Sequence, residues 1–433
     1  MKKVYLFLGL VGALSVSTLC AQDTIQAEIP TEVRDEMKGT DTSRWGDSSQ
    51  VSYFETGAVA DAQGWTLASG KKRHHSSKSP RPPKQLAPAF TQQPANGENP
   101  RHFSPEVVWG LWFDFFFDNR EYKSSINWPQ TIFGTRVSPE IGVRWGAHSI
   151  MGGISLLADF GAKPFETDNE LFAYYQYHSP KFRAYAGVIP RYKMIGEYSP
   201  AFFSDSVKYF DPNLTGLLLQ YAGKKGYVEF GADWNSKFAA VTREKFLLFS
   251  AGRINYKFLY AGYNLSMYHH AGNFDTDGVV DNVLIYPFIG VDLREKTGMQ
   301  QLNLQIGWLQ AFQNDRKYVG EYVSPGGFQA QLRVQKWNFG IDNTIYVGDN
   351  LMPYWDAPEA GLDYGPGLYW GEPFYRTDNF YDRLEIYWQP IANNRMSLRV
   401  ASVHHYDGAK WGWQQKVLFR VNLGQNRLIG KRK

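Results

Sequence analysis

From about residue 105 onward the sequence alternates apolar and polar residues with period two, in stretches longer than ordinary soluble strands. In "MQQLNLQIGWLQAF" (299–312), Leu302, Leu304, Ile306 and Trp308 share one face, while Gln301, Asn303, Gln305 and Gly307 share the other. Val228, Phe230, Ala232 and Trp234 likewise oppose Glu229, Gly231 and Asp233. Phe328, Ala330, Leu332 and Val334 oppose Gln329, Gln331, Arg333 and Gln335. Near the end of the chain, Trp413, Val417, Phe419 and Val421 oppose Gln414, Lys416, Arg420 and Asn422. Each run is on the order of ten residues, enough for a tilted strand to cross a bilayer's hydrocarbon.

The connections between runs alternate in length. Short turns fall at 146–149, 179–181, 223–226, 255–257, 295–298, 336–338 and 392–395. Longer segments lie near 119–134, 162–169, 191–212, 235–244, 271–281, 313–325 and 349–378, with a shorter one near 406–410. Short periplasmic turns alternating with longer external loops, and about sixteen strands by count, predict an all-β fold: a transmembrane antiparallel barrel with both ends on the periplasmic side. A soluble sandwich or propeller would also produce many strands. Strand length argues against it, as do aromatics at strand ends (Trp109, Trp112, Tyr174, Tyr175, Tyr177, Tyr387, Trp388), where membrane interfaces favour amphipathic rings. Aromatic content of 16% gives many candidates for such a girdle. No uncharged apolar run of helical length follows the leader, which excludes a helical span.

The rest of the chain divides at composition breaks. Residues 1–21 read as a signal peptide, with Lys2 and Lys3 before an apolar stretch and Leu19-Cys20-Ala21 at its end. Cys20 is the only cysteine, so disulfides and cysteine metal sites are excluded from the mature chain. Residues 22–102, including the basic "SGKKRHHSSKSPRPPKQLAP", read as a disordered N-terminal periplasmic arm. The barrel is placed at 103–423, and 424–433 is read as a basic extension. A net charge of +4 over 433 residues gives no reason to expect a nucleic-acid partner.

The segments "AYAGVIPRYKMIGEYSPAFFSDSVKYFDPNLTGLLLQY" (184–221) and "LYWGEPFYRTDNFYDRLEIYW" (368–388), with the "CAQ" signal end, resemble uncharacterised outer-membrane β-barrel proteins of the Bacteroidetes type, porin-like in architecture. The resemblance covers about 103–423 and implies outer-membrane localisation and contact with membrane lipid and lipopolysaccharide; passage of small polar solutes is expected from the strand number and the polar inner faces.

The polar faces supply the candidate pore lining: Arg144, Arg183, Glu229, Asp233, Arg333, Arg399, Lys416 and Arg420. A barrel of about sixteen strands is wide enough for an aqueous channel. The expected function is a porin-like passive channel, with no cofactor and no enzymatic role. The alternative is a non-conducting surface barrel whose loop aromatics Phe202, Phe203, Tyr209, Phe210, Trp355, Tyr369 and Trp370 bind glycans or a protein partner. Whether the loops 191–212 and 349–378 stand outside or fold into the lumen separates the two. A hydrolase requires a histidine beside a loop serine such as Ser204 or Ser206, and none is local in sequence. Asp205-Ser206-Val207 and Asp23-Thr24-Ile25 match a short pattern for O-glycosylation, with Ser206 the candidate acceptor. "NFDTDGVVDN" (273–282) imitates half a calcium loop but has Leu284 where the bidentate glutamate belongs, so no metal is expected. The pairs His269-His270 and His404-His405 point to opposite faces of their strands and cannot chelate one ion.

Overall fold

The computed structural model describes residues 105–429 apart from 124–125, 163–168, 275–276, 358–359 and 425. The signal, the arm with His74-His75 and Asp23-Thr24-Ile25, and the last four residues lie outside the described residues. Sixteen antiparallel strands close into a barrel: β1 (Glu106–Tyr122), β2 (Gln130–Trp145), β3 (His148–Asp159), β4 (Glu170–His178), β5 (Phe182–Pro190), β6 (Asn213–Gly223), β7 (Gly226–Ser236), β8 (Lys245–Tyr256), β9 (Leu259–His270), β10 (Val280–Asp292), β11 (Gln301–Asp315), β12 (Gly326–Lys336), β13 (Phe339–Gly348), β14 (Phe380–Ala392), β15 (Met396–Tyr406) and β16 (Trp411–Asn422). Closure is made by β1 against β16, in register from Trp112 opposite Asn422 to Tyr122 opposite Gly412. A short β17 (Asn426–Ile429) continues that pairing down β1 to Val107, so part of the expected basic extension is a strand. Pairing both edges leaves no open row of backbone donors facing lipid, the condition for a sheet in a membrane.

The short turns and long loops fall where the sequence alternation predicts. The turn at Trp337 and Asn338 has both residues at positive φ (51° and 68°), the two-residue geometry that matches strand twist. One connection differs: between β10 and β11 the expected tight turn is eight residues long and contains a helical turn, α1 (Arg294–Thr297). Parity also holds. Trp234, Ile306, Trp308, Phe328 and Trp413 are exposed on the outer wall, whereas Glu229, Asp233, Gln329 and Lys416 are buried inside. The aromatic girdle is thinner than expected, because Trp112 stacks inward on Tyr192, and Tyr174 and Tyr387 are buried in the interior. Tyr174 and Tyr387 each have a neighbour of opposite parity on the outer wall (Tyr175 and Trp388), as period two requires.

The core sits in the lumen. The β5–β6 loop (191–212) touches strands all round the barrel. Lys193 pairs with Glu140 on β2, and Arg120 on β1 donates to Ser206. The backbone N–H groups of Ile195 and Gly196 donate to Glu229 on β7, and that of Ser199 to Asn264 on β9. Asp205 pairs with Arg383 on β14 and Lys416 on β16. Only a segment crossing the interior reaches all of these. The β13–β14 loop (349–379) joins it: Ser204 N–H donates to Trp370 O, Glu372 N–H to Pro200 O, and Asp205 N–H to the Glu372 carboxylate. The approach is so close that a Cβ on Gly371 would lie 2.0 Å from the Ala201 carbonyl oxygen. Together the loops form a plug whose rings meet apolar residues lining the interior, Phe203 against Phe249 and Trp370 against Tyr268.

Candidate active site

The residues expected to line a pore face inward, and most are taken up by partners. Glu229 accepts four hydrogen bonds, from the N–H groups of Ile195 and Gly196, the Tyr198 hydroxyl and the Gln220 amide. Asp233 and Asp211 both pair with Arg191, which is fully buried. Arg399 pairs with Asp342 at 2.6 Å and Glu385 at 2.9 Å. Lys416 pairs with Asp205 at 2.9 Å, and Arg420 with Asp114 at 2.9 Å. Arg144 pairs with Glu106, Arg333 contacts Glu197 at 3.5 Å, and Arg183 lies beside Tyr185. These charges neutralise one another across a filled lumen.

Burial pushes the Asp205 carboxyl up, but Lys208, Lys416 and Arg383 outweigh it and hold the group well below the ordinary carboxylate range. Asp211 goes the other way: burial, opposed by Arg191 and reinforced by Asp233, pushes it up to about 7. One arginine shared by two carboxylates favours a proton on one of them.

The seven loop aromatics do not stand outside. Phe202, Phe203, Tyr209, Tyr369 and Trp370 are buried in the plug; Phe210 and Trp355 are half-buried against it, Trp355 stacked on Tyr369. Ser206 is also in the lumen, accepting from Arg120, where a glycan would have to displace the plug. No cluster among the described residues could hold a metal; Asp277 pairs with Lys317, and Asp281 with Arg316.

The outer wall holds a different arrangement. Ser402 and His404 share the lipid-facing side of β15, two residues apart, and Ser402 Oγ lies 3.1 Å from His404 Nε2. The Trp413 indole N–H on β16 donates to Ser402 Oγ at 2.8 Å. Ser402 Oγ thus accepts from Trp413 and stands within hydrogen-bond reach of His404 Nε2, the geometry in which its proton can pass to the imidazole. Gln415 is the register partner of Ser402, Asn119 that of Gln415, and Thr131 that of Asn119, forming one polar row across four strands. Asn119 Nδ2 donates to Gln415 Oε1 at 3.0 Å, and Thr131 donates to Asn119 Oδ1 at 2.7 Å. Asp382, held by Asn343 at 2.6 Å, sits diagonally above His404 on the same face. Just above the row, Phe380, Tyr406 and Trp411 form an aromatic cluster at the external strand ends. The row therefore lies near the upper boundary of the outer leaflet.

Sequence reasoning missed this pair by searching the loops for the serine and by treating His404 only as a partner of His405. The period-two rule that set those histidines apart puts Ser402 and His404 on one face.

No curated relative matches this sequence. The barrel is similar to solved outer-membrane proteins: OprD of Pseudomonas aeruginosa (9% identity, 76% of this chain and 97% of that chain covered, TM-score 0.42), a Rhodopseudomonas blastica porin triple mutant (8%, 73% and 100%, 0.42), and loop-deleted OmpT of Vibrio cholerae (9%, 73% and 99%, 0.44). No substrate is carried over from them. A family model described as lipid A 3'-O-deacylase-type matches residues 111–421. That family is defined by an enzyme activity, which overturns the expectation of a chain with no enzymatic role. The match spans nearly the whole barrel, from β1 to β16. This chain belongs to the lipid A 3'-O-deacylase-type family, and it is an outer-membrane β-barrel of the Bacteroidetes type.

Proposed function

We propose that this barrel is an outer-leaflet ester hydrolase that removes an acyl chain from lipid A, with Ser402 as nucleophile and His404 as its base. The observation that carries the reading is the Ser402–His404 hydrogen bond on the lipid-facing wall. Acyl esters of a lipid lie where headgroup meets hydrocarbon, the depth at which this pair stands below the external aromatics. Ser402 Oγ attacks the ester carbonyl carbon as its proton passes to His404 Nε2. The tetrahedral intermediate collapses with cleavage of the bond to the sugar oxygen, which takes the proton from His404. Water, deprotonated by the same imidazole, then attacks the acyl-serine; the fatty acid leaves and the proton returns to Ser402.

Gln415 supplies the donor for the oxyanion. Its carbonyl is engaged by Asn119 on the β1 side, which leaves its amide N–H groups for the neighbouring β15.

The test is incubation of folded, purified protein with lipopolysaccharide in mixed micelles, followed by mass spectrometry of the lipid A. Loss of one acyl chain with wild type and none with Ser402→Ala is expected. Unchanged lipid A, with the protein shown to be folded, rejects the hydrolase; reproducible single-channel steps from the same preparation would then favour passage of small polar solutes.

A further inference from the structure

A cavity of about 420 Å³ opens at the external mouth between the β7–β8, β9–β10 and β11–β12 loops and the 349–379 segment. Its size is within the range of small-molecule sites, roughly 300–1,000 Å³. It lies on the β8–β11 side of the barrel, while Ser402 is on the outer wall at β15. The cavity plays no part in the proposed hydrolysis.

Three features of its lining point to a ligand. The first is Arg243: its Nε donates to the Ala271 carbonyl at 2.7 Å, which fixes the plane of the guanidinium, and its two terminal nitrogens have no partner among the described residues. A fork held in this way is set for two-pronged contact with a phosphate or carboxylate. Lys245 adds a second cation to the same wall. The second is His270, only 4% exposed, whose buried Nδ1 has no hydrogen-bond partner. A buried polar atom without a partner is costly unless something completes it.

The third is the rim. The Tyr318 ring is 55% exposed and backed by Gly361, where an added Cβ would lie 2.9 Å from the ring. It offers a flat apolar face of the kind that packs on the C–H side of a sugar. Asp363 is exposed beside it as an acceptor for hydroxyls. The other acids are already occupied. Asp315 accepts the backbone N–H groups of Lys317 and Tyr318 and the Tyr364 hydroxyl, and Asp277 is paired with Lys317.

We propose that this mouth cavity is a binding site for an anionic saccharide, a sugar bearing phosphate or carboxylate, with Arg243 on the anion and Tyr318 under the ring. Such a group occurs on soluble sugar phosphates and on the phosphorylated saccharide of lipopolysaccharide, and the test separates these sources.

Calorimetric titration of the full chain in detergent with glucose 6-phosphate should give saturable binding, with glucose and inorganic phosphate each weaker. Arg243→Gln should weaken it about tenfold or more, the worth of a charged hydrogen bond. Arg243→Lys, which keeps the charge but not the fork, should fall between. Tyr318→Ala, at an exposed ring, should weaken glucose 6-phosphate several-fold and leave phosphate unchanged. Heat-modifiable gel mobility checks that each variant is a folded barrel. Competition by deacylated, water-soluble lipopolysaccharide assigns the site to the membrane saccharide; absence of competition assigns it to free sugar phosphates. No binding by folded wild type, or equal binding by wild type, Arg243→Gln and Arg243→Lys, overturns the proposal. Inorganic phosphate binding as tightly as glucose 6-phosphate overturns its saccharide half.

Discussion

The lumen and the outer wall both hold polar side chains away from bulk water, but the two sets are partnered differently. In the lumen, cations and carboxylates alternate: Asp205 between Lys208, Lys416 and Arg383, Glu385 against Arg383 and Arg399, and Arg399 on Asp342. This saturation holds two loops in place and leaves little to act on a substrate. On the wall, Ser402, Gln415, Asn119 and Thr131 form a single polar row facing lipid, with His404 beside Ser402, where apolar residues would serve the fold better. Polar groups that the fold does not need are better candidates for chemistry than a larger number that it does. The two regions should therefore respond to mutation in opposite ways.

The largest separation is expected at Ser402. Replacement by alanine should lower acyl release by about a thousandfold or more, the scale of losing a nucleophile, while the denaturation midpoint stays near wild type because one half-buried hydroxyl is removed from the wall and no packed side chain is lost. A similar loss of folded protein would place Ser402 in the structural class and break the comparison.

Asp205→Ala is the reverse experiment. It removes the carboxylate shared by Lys208 of the plug and Arg383 and Lys416 of the barrel wall, and removing one partner of a buried ion pair costs about 3–5 kcal/mol. Protease cutting within 191–212 should rise sharply, and the denaturant midpoint should fall. Resistance equal to wild type would mean that the plug is held by its aromatics alone.

Gln415 offers a finer test. Gln415→Ala should lower kcat by about a hundredfold with KM little changed, because an oxyanion donor acts in the transition state. Asn119→Ala should produce a smaller loss of the same kind by freeing the Gln415 amide to rotate. A change in KM alone would make the row a lipid-docking feature.

These regions were not equally legible in the sequence. Strand parity, strand number and turn positions are local properties, so Gln301 to Trp308 could be assigned to faces from spacing alone. The destination of a loop is not local. Phe203 and Trp370 are equally compatible with an external lip and an internal plug, because what decides is Phe249 and Tyr268, on strands distant in the chain. Pairing of Lys416 with Asp205 depends in turn on that folding-in. The Ser402–His404 pair was within reach of the parity rule, but its cross-strand supports, Trp413, Gln415 and Asn119, require the register between β15, β16 and β1.

The smallest effect concerns one titrating clamp of the plug, Asp211 on Arg191. The folded state raises the Asp211 carboxyl from 3.8 to about 7, so the native form holds that proton more tightly than the unfolded chain. The resulting stability is fully present below pH 3.8, declines as pH rises toward 7, and is absent above it, with a slope of at most about tenfold in the opening equilibrium per pH unit. Hydrogen exchange in 191–212, corrected for its intrinsic pH dependence, should therefore speed up between pH 4 and 7 and level off beyond. Asp211→Asn, neutral at every pH, should flatten that profile, while acyl release by the wall should show no break attributable to Asp211. A loss of activity tracking the Asp211 transition would join the two regions into one coupled device and end the division between a structural lumen and a chemical wall.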